Sequence, residues 1–410
     1  MLPILSPAAG EKGTYCFVFI SSCPDAWGGS EELWRGAALQ LSRAGHSVYI
    51  FKTYVEWLHP RIVQLLAAGC HFTDLLSRPP VHTRLLSRML PARWRHQQPL
   101  PERLLHKVLH KLAPHLAIVS QGGNLDGAPY AEVCRQLQQP YVLVAQKAAE
   151  IFLPYDEGRA YIQQIYQAAR RCFFVSRHNL ALTQRQLALP LPHAAVVANP
   201  FNVPFDGEMP APARAGTWQL ACVARLDVLD KGQDILLQVL ALAHWRARPV
   251  HVTFFGTGPH RQALEAMAAF LGVAGQVSFA GQVADVPGIW RAHHALVLPS
   301  RYEGLPLALV EAMLCGRPAI AANAGGVAEI LLDNETGFLA ATASPAAFDE
   351  ALERAWARRA EWPAMGVRAA AHARATVPAD AAADFSQQLL GLAHERAAAI
   401  SSTPAVAVAL

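Results

Sequence analysis

The stretch from Leu298 to Phe338 constrains the fold more than any other part of the chain. A strand ends near Pro299, and a short polar loop carries Arg301, Tyr302, Glu303 and Gly304. Pro306 sits where a first helical residue belongs, since its fixed φ suits a helix start and its missing N–H costs nothing there. Leu305, Leu307, Leu309, Val310, Ala312, Met313 and Leu314 then give a helix that is apolar almost all round, which predicts burial. Gly316 stops it. A second short strand, Pro318 to Ala321, runs into the glycine turn Gly325-Gly326, which opens another short helix. Two strand–turn–helix units in succession put two helix N-termini on one rim of a parallel sheet, where open α/β sheets bind ligands.

Two carboxylates stand out in this frame. Glu303 lies in the loop before the helix, and Glu311 lies inside the apolar helix, where an unpaired carboxylate is costly. Taken singly, Glu311 also reads as a helix acid paired with an arginine, and Glu303 as an exposed loop acid. The free N–H groups of the helix start, near Gly304 and Leu305, suit a phosphate, with Gly304 letting a ligand approach the backbone.

The run E-G-L-P-L-A-L-V-E from Glu303 to Glu311 resembles the E-x7-E motif of the retaining glycosyltransferases of family 4, the glycosyl transferases group 1, which have the GT-B fold. C-G-R-P-A-I-A-A-N-A-G-G-V-A-E from Cys315 and E-T-G-F-L from Glu335 resemble the next segments of the same family. The resemblance implies an α/β protein of two Rossmann-like, doubly wound parallel-sheet domains facing across a cleft. It implies a retaining transferase that uses a nucleotide-diphosphate sugar.

The rest of the chain fits two such halves. Tyr15 to Ser21 reads as a strand, Glu31 to Ala44 as a helix and His46 to Thr53 as the next strand, with Gly28 and Gly29 at the first strand-to-helix turn. By resemblance, that glycine pair approaches the donor diphosphate. Further strands are expected at 116–120, 141–145, 172–175 and 194–197, with helices between them. Gln146 and Lys147 lie just past a strand end and face the cleft as possible acceptor-side residues. Many members of the family have a histidine near this point, and this chain does not.

Residues 61–115 differ in character. Arg61, Arg78, Arg84, Arg88, Arg93, Arg95, Arg103, Lys107 and Lys111 face only Asp74 and Glu102, while leucines recur at helical spacing. The segment reads as solvated helices on the first domain, or as a patch for an anionic acceptor or a membrane surface.

Asn199-Pro200 closes the first domain, 1–200, and the Pro- and Gly-rich stretch 201–216 reads as the linker. The second domain, 217–377, opens on a strand that ends in A-R-L-D-V-L-D-K-G. Arg225 and Lys231 flank that loop, and together a guanidinium fork and an ammonium neutralise a diphosphate. The expected helix runs from Gln233 to Arg246, and the next strand runs into Gly256-Thr257-Gly258-Pro259. A last helix, 378–396, is expected to cross back to the first domain, as in many GT-B proteins, before a tail at 397–410.

Composition sets outer limits. At 410 residues, 52% hydrophobic and 16% charged, two domains with real cores are the natural expectation. A formal charge of +4 suits anionic substrates and does not mark a nucleic-acid binder. The 7 cysteines are scattered, with no C-x-x-C, and read as buried thiols of a reducing compartment. No apolar run is long enough to span a bilayer and the first ten residues lack a basic n-region, so the expected location is cytoplasmic, with possible peripheral contact at the inner face of the membrane. The chain has no D-x-D and no metal-ligand cluster, so transfer is expected to need no metal and no cofactor.

In the transferase that the resemblance implies, Arg225, Lys231 and helix amides near Gly304, Leu305 and Gly326 hold the pyrophosphate, with Gly256 close by. Glu303 accepts hydroxyls of the donor sugar and Glu311 those of the ribose. The acceptor is a glycan, a lipid-linked glycan, a polysaccharide or a small metabolite. The competing classes are a GT-B relative of other chemistry, such as a phosphorylase or a nucleotide-sugar epimerase, and a non-catalytic nucleotide-binding module.

Overall fold

A computed structural model describes residues 13–76, 101–206, 209–212 and 216–402. Arg78, Arg84, Arg88, Arg93 and Arg95 of the basic segment, and the tail from 403, lie outside the described residues.

The first domain begins β1 (Cys16–Ser21), α1 (Glu32–Arg43), β2 (Ser47–Lys52), α2 (Pro60–Ala67), β3 (His71–Asp74), α3 (Pro101–Leu112), β4 (Leu116–Gln121). It continues α4 (Ala128–Gln136), β5 (Tyr141–Ala145), α5 (Asp156–Ala168), β6 (Arg171–Phe174), α6 (Arg177–Leu187), β7 (Ala194–Val196). Its parallel sheet has the order β3-β2-β1-β4-β5-β6-β7. The strands are apolar on both faces because helices cover both. In β1, Phe17 and Phe19 pack under α1, while Val18 and Ile20 pack on the opposite face with Leu105, Leu109 and Leu112 of α3.

The second domain runs β8 (Trp218–Val223), α7 (Val228–Lys231), α8 (Gln233–Leu240), α9 (Ala243–Arg246), β9 (Val250–Phe255), α10 (Arg261–Phe270), β10 (Val277–Gly281), α11 (Val286–Ala292). Then come β11 (Ala295–Leu298), α12 (Leu307–Leu314), β12 (Ala319–Ala322), α13 (Val327–Ile330), β13 (Gly337–Ala340), α14 (Pro345–Ala357), α15 (Trp362–Thr376) and α16 (Ala381–Ser402). The order of this parallel sheet is β10-β9-β8-β11-β12-β13. The order reverses next to the first strand of each sheet, which places the crevice at the C-terminal edges there.

The last helix, α16, leaves the second domain and lies on α1. A Cβ at Gly36 would stand 2.5 Å from the Ala382 Cβ, and Phe385 meets Phe173 edge-on at 5.2 Å. Arg317, buried in the second domain, donates to the Trp290 and Pro210 carbonyls and so pins the linker.

Several local expectations need correcting. Pro306 is the N-cap of α12, with extended ψ, and not its first helical residue. The single helix expected over 233–246 breaks at Leu242, which is extended, and a separate turn of helix, α7, precedes it. The stretch 61–115 is not all helical. It contains the edge strand β3, in which only Phe72 is buried, so alternation gave no signal. The strand β13 falls on G-F-L-A, too short and glycine-led to read as one.

Candidate active site

The two sheets bring their strand-end loops together along one crevice. Its second-domain wall is built from the loops after β8, β11 and β12. Asp227 caps α7 by accepting from the Leu229 N–H, and one helical turn later Lys231 points to the loop after β11. Its Nζ lies 2.7 Å from Oε1 of Glu303, which is 5% exposed. Gly232 follows at φ +62, and a Cβ there would sit 2.2 Å from the Pro299 carbonyl oxygen. Only glycine lets these two loops close on each other. Arg301 locks them further, with both guanidinium nitrogens on the Asp234 carboxylate at 2.8 Å. Gly325 does the same for the loop after β12, since a Cβ there would meet the Glu303 carbonyl oxygen at 2.1 Å.

The first-domain wall contributes the loops after β1, β4 and β5. The loop after β1 is held from beneath by Lys52, which is fully buried. Its Nζ donates to the Cys23 and Asp25 carbonyls at 2.9 and 2.6 Å and pairs with Glu31 at 3.0 Å. Ser21 donates to the other Glu31 oxygen. Burial pushes the Glu31 carboxyl up, and Lys52 works against that shift. Asp126 accepts from Gly123 N–H and Ser22 Oγ, so the Gly122-Gly123 turn is already tied down.

The structure brings the predicted charged residues together, with partners the sequence did not assign. Arg225 reaches across the crevice to Asp25 at 2.7 Å and also contacts Asp227 at 3.0 Å. Lys147 reaches the other way and lies 2.6 Å from Asp230. Each domain thus offers a cation to an acid of the other. Glu329, inside the G-G-V-A-E run, accepts from the Arg177 and His178 N–H groups at 3.0 and 2.7 Å and so closes the N-terminus of α6.

The glycines and Glu311 divide. Gly29 faces the second domain, with a built Cβ 3.4 Å from Leu307 Cδ1, whereas Gly28 has nothing nearer than 3.5 Å. The space beside Gly304 is filled by the Gln146 carbonyl, 2.1 Å from a built Cβ, so that glycine admits the first domain's backbone in place of the expected open approach. Gly326 lies against Ser176, Gly256 packs against the Ala224 carbonyl, and Leu305 packs on the second-domain core. Gln146 accepts from Asn199 Nδ2 at 2.8 Å. Glu311 is buried but not unpaired: its Oε1 accepts from the Asn202 backbone and side-chain nitrogens, each at 2.9 Å. Burial pushes its carboxyl up.

Lys52, Glu31, Asp25, Asp230 and Glu329 escaped the sequence reading. For Lys52 and Glu31 no local pattern gives them away, because a lysine at a strand end ordinarily reads as exposed. Glu329 and Asp230 lie inside the runs G-G-V-A-E and L-D-K-G, which were visible. Among the described residues, one His/Asp/Glu group has metal-ligand spacing, His244 with Asp349 and Glu353. It joins α9 to α14, just before β9 begins, and so lies at the sheet edge opposite the crevice. Its Glu353 is already held by both guanidinium nitrogens of Arg248, at 2.6 and 3.0 Å.

Comparison with known proteins bears on this geometry. Residues 218–358 match the family model for glycosyl transferases group 1. A GDP-mannose-dependent alpha-(1-6)-phosphatidylinositol monomannoside mannosyltransferase of Mycolicibacterium smegmatis is 32% identical over 204 residues, 44% of this chain and 51% of that protein. A D-inositol 3-phosphate glycosyltransferase of Streptomyces scabiei is 35% identical over 197 residues, 44% of each chain. The match thus spans about half the length of these relatives. Among solved structures, Anabaena HepE in complex with UDP and glucose superposes with TM-score 0.68 at 17% identity, over 95% of this chain and 100% of that one. Sucrose-phosphate synthase from Thermosynechococcus elongatus does so with TM-score 0.68 at 19% identity, over 94% and 100%. The architecture is the GT-B fold.

Proposed function

We propose that this chain, whose second domain belongs to the glycosyl transferases group 1 and whose fold is GT-B, moves a sugar from a nucleotide-diphosphate donor to an acceptor hydroxyl. One observation carries the reading: Lys231 lies 2.7 Å from the buried Glu303, with Arg225 at the other end of the same βα loop, at the crevice edge of the sheet. Arg225 and Lys231 neutralise the pyrophosphate and stabilise the charge that grows on the leaving phosphate. Glu303, oriented by Lys231, accepts donor-sugar hydroxyls and places the anomeric carbon. Both Asn202 bonds to Glu311 fall on Oε1, so the ribose hydroxyls take Oε2.

Attack comes from the face the phosphate leaves. The C–O bond to the phosphate breaks as the acceptor oxygen bonds the same carbon, and the departing phosphate takes the acceptor's proton. Configuration is retained and no separate base is needed. The cations at the phosphate position do the work a divalent ion does elsewhere, so transfer runs without a metal cofactor. Contacts between the domains exclude water from the donor.

The relatives named for GDP-mannose and phosphatidylinositol mannoside, and the neighbour holding UDP, support a nucleotide-sugar donor and a glycan, lipid-linked or polyol acceptor. No described helix is long and apolar enough to cross a membrane. We place the protein in the cytoplasm, in peripheral contact with the membrane if its acceptor is lipid-linked.

A thermal-shift screen against UDP- and GDP-sugars identifies the donor. Release of free nucleoside diphosphate only when acceptor is present then separates transfer from phosphorolysis and epimerisation. Lys231→Met and Glu303→Gln are each expected to lower turnover about 100-fold or more. Normal turnover in either variant overturns the assignment of roles.

A further inference from the structure

Lys147 stands just past the end of β5, on the first-domain wall, and its side chain crosses the crevice. The Nζ is 2.6 Å from Oδ2 of Asp230, and a guanidinium nitrogen of Arg225 is 3.6 Å from that same oxygen. Two cations, one from each domain, therefore converge on a single carboxylate oxygen. The residue after Asp230 is Lys231, the second cation of the donor loop. Four groups thus meet within one short loop and the strand end that faces it.

Like charges repel, so two cations are not brought this close without an anion between them. Asp230 fills that place in the protein as it stands. Arg225 also holds Asp227 with that same nitrogen and Asp25 with its other terminal nitrogen. On the first-domain side, Lys147 also feels the Asp126 carboxylate. Its direct partner is Asp230.

Resting on the nucleotide-sugar reading above, we infer that Lys147 is a donor-phosphate ligand supplied by the first domain, and that Asp230 is the counter-ion that holds its place until the diphosphate arrives. A diphosphate entering beside Arg225 brings at least two negative charges next to Asp230. Like charges so placed repel, while the two charges of the diphosphate attract Lys147 more strongly than the single charge of the carboxylate they replace. The four-carbon stem and compact ammonium of lysine suit such an exchange, since the head can move a short way without loss of geometry. The bridge from the first domain then runs through Lys147 to the phosphate in place of Asp230.

The alternative is a plain interdomain clamp, in which Lys147 and Asp230 serve only each other. The two readings differ in sign. If Lys147 binds phosphate, Lys147→Met weakens nucleoside-diphosphate binding while Asp230→Asn, which removes the competing acid, tightens it. If the pair is a clamp, both variants act alike.

Titration calorimetry of the full chain with UDP, GDP and ADP, and with uridine, guanosine and adenosine, decides the matter. Lys147→Met is expected to lose about tenfold or more in affinity for the diphosphate that binds the wild type, with its nucleoside unchanged. Asp230→Asn is expected to gain several-fold on the diphosphate, and Lys147→Arg to keep part of the wild-type affinity. Thermal unfolding of each variant checks that it is folded, and if Lys147→Met is not, Lys147→Gln and Asp230→Asn carry the test. Equal diphosphate affinity in the wild type and the Lys147 variant, or equal weakening by both substitutions, overturns the inference and leaves the transferase reading standing. A wild-type protein that binds none of the diphosphates removes the nucleotide-sugar reading and this inference with it.

Discussion

The two walls of the crevice are built alike and held differently. Both are loops at the C-terminal edge of a parallel sheet, and both carry a glycine pair at a strand-to-helix turn. In the second domain the charged groups that face the crevice are themselves the fastening: Lys231 on Glu303, and Arg301 on Asp234. In the first domain the fastening of the loop after β1 is hidden. Lys52 and Glu31 lie beneath it, with side chains 0% and 1% exposed, so the pair that holds the loop does not itself face the crevice. A wall whose fastenings face the crevice is expected to show its mutations in turnover. A wall fastened from inside is expected to show them in stability.

The sharpest way to break this comparison is Lys52→Met. It leaves Glu31 buried and unpaired and strips a donor from the Cys23 and Asp25 carbonyls. We expect a loss of about 3–5 kcal/mol in denaturant unfolding, partly recovered when Glu31→Gln is added because no buried charge then remains. A loss below about 1 kcal/mol would mean that the buried pair does not hold the wall.

Gly304→Ala ranks next. Its Cβ would stand 2.1 Å from the Gln146 carbonyl and 2.6 Å from Val175 Cγ2, so the walls must part. The expected cost is about 1–3 kcal/mol, with a larger radius of gyration in solution scattering. Gly28→Ala, with nothing closer than 3.5 Å, serves as the control and should leave both measurements unchanged. Identical behaviour of the two variants would show that the walls do not meet at Gly304.

The smallest effect is expected at Glu311. Burial raises its carboxyl above the ordinary 4.5, so the folded protein favours the protonated form. The wild type therefore loses stability as pH rises through that raised value. Glu311→Gln keeps an oxygen for Asn202 and carries no charge. It should melt slightly above the wild type at pH 7–8, by up to about 1 kcal/mol, and the difference should vanish as pH falls below 4.5. A difference that grows on acidification contradicts the assigned direction.

Much of the second wall was legible because its parts are close in sequence. Arg225 and Lys231 share one loop, and Glu303 opens the helix that contains Glu311. Short-range patterns of proline, glycine and charge report such units directly. The strands of both sheets were legible as apolar runs, since helices cover both faces, and the exceptions were the short edge strands β3 and β13. What stayed hidden were pairings between distant positions: Lys52 with Glu31, Arg225 with Asp25, Lys147 with Asp230, Asn202 with Glu311. The space at Gly304 was hidden for the same reason, because its occupant comes from the other domain.

The amino-acid sequence alone determined that there are two parallel α/β units, which loops lie at the C-terminal edges of their sheets, and which cations and acids those loops carry. Periodicity and turn chemistry act over a few residues, and that is the range over which such features are encoded. The tertiary structure decided which acid each cation meets before any ligand is present, because ion pairing falls steeply with distance and burial and both are set only when the two sheets face each other.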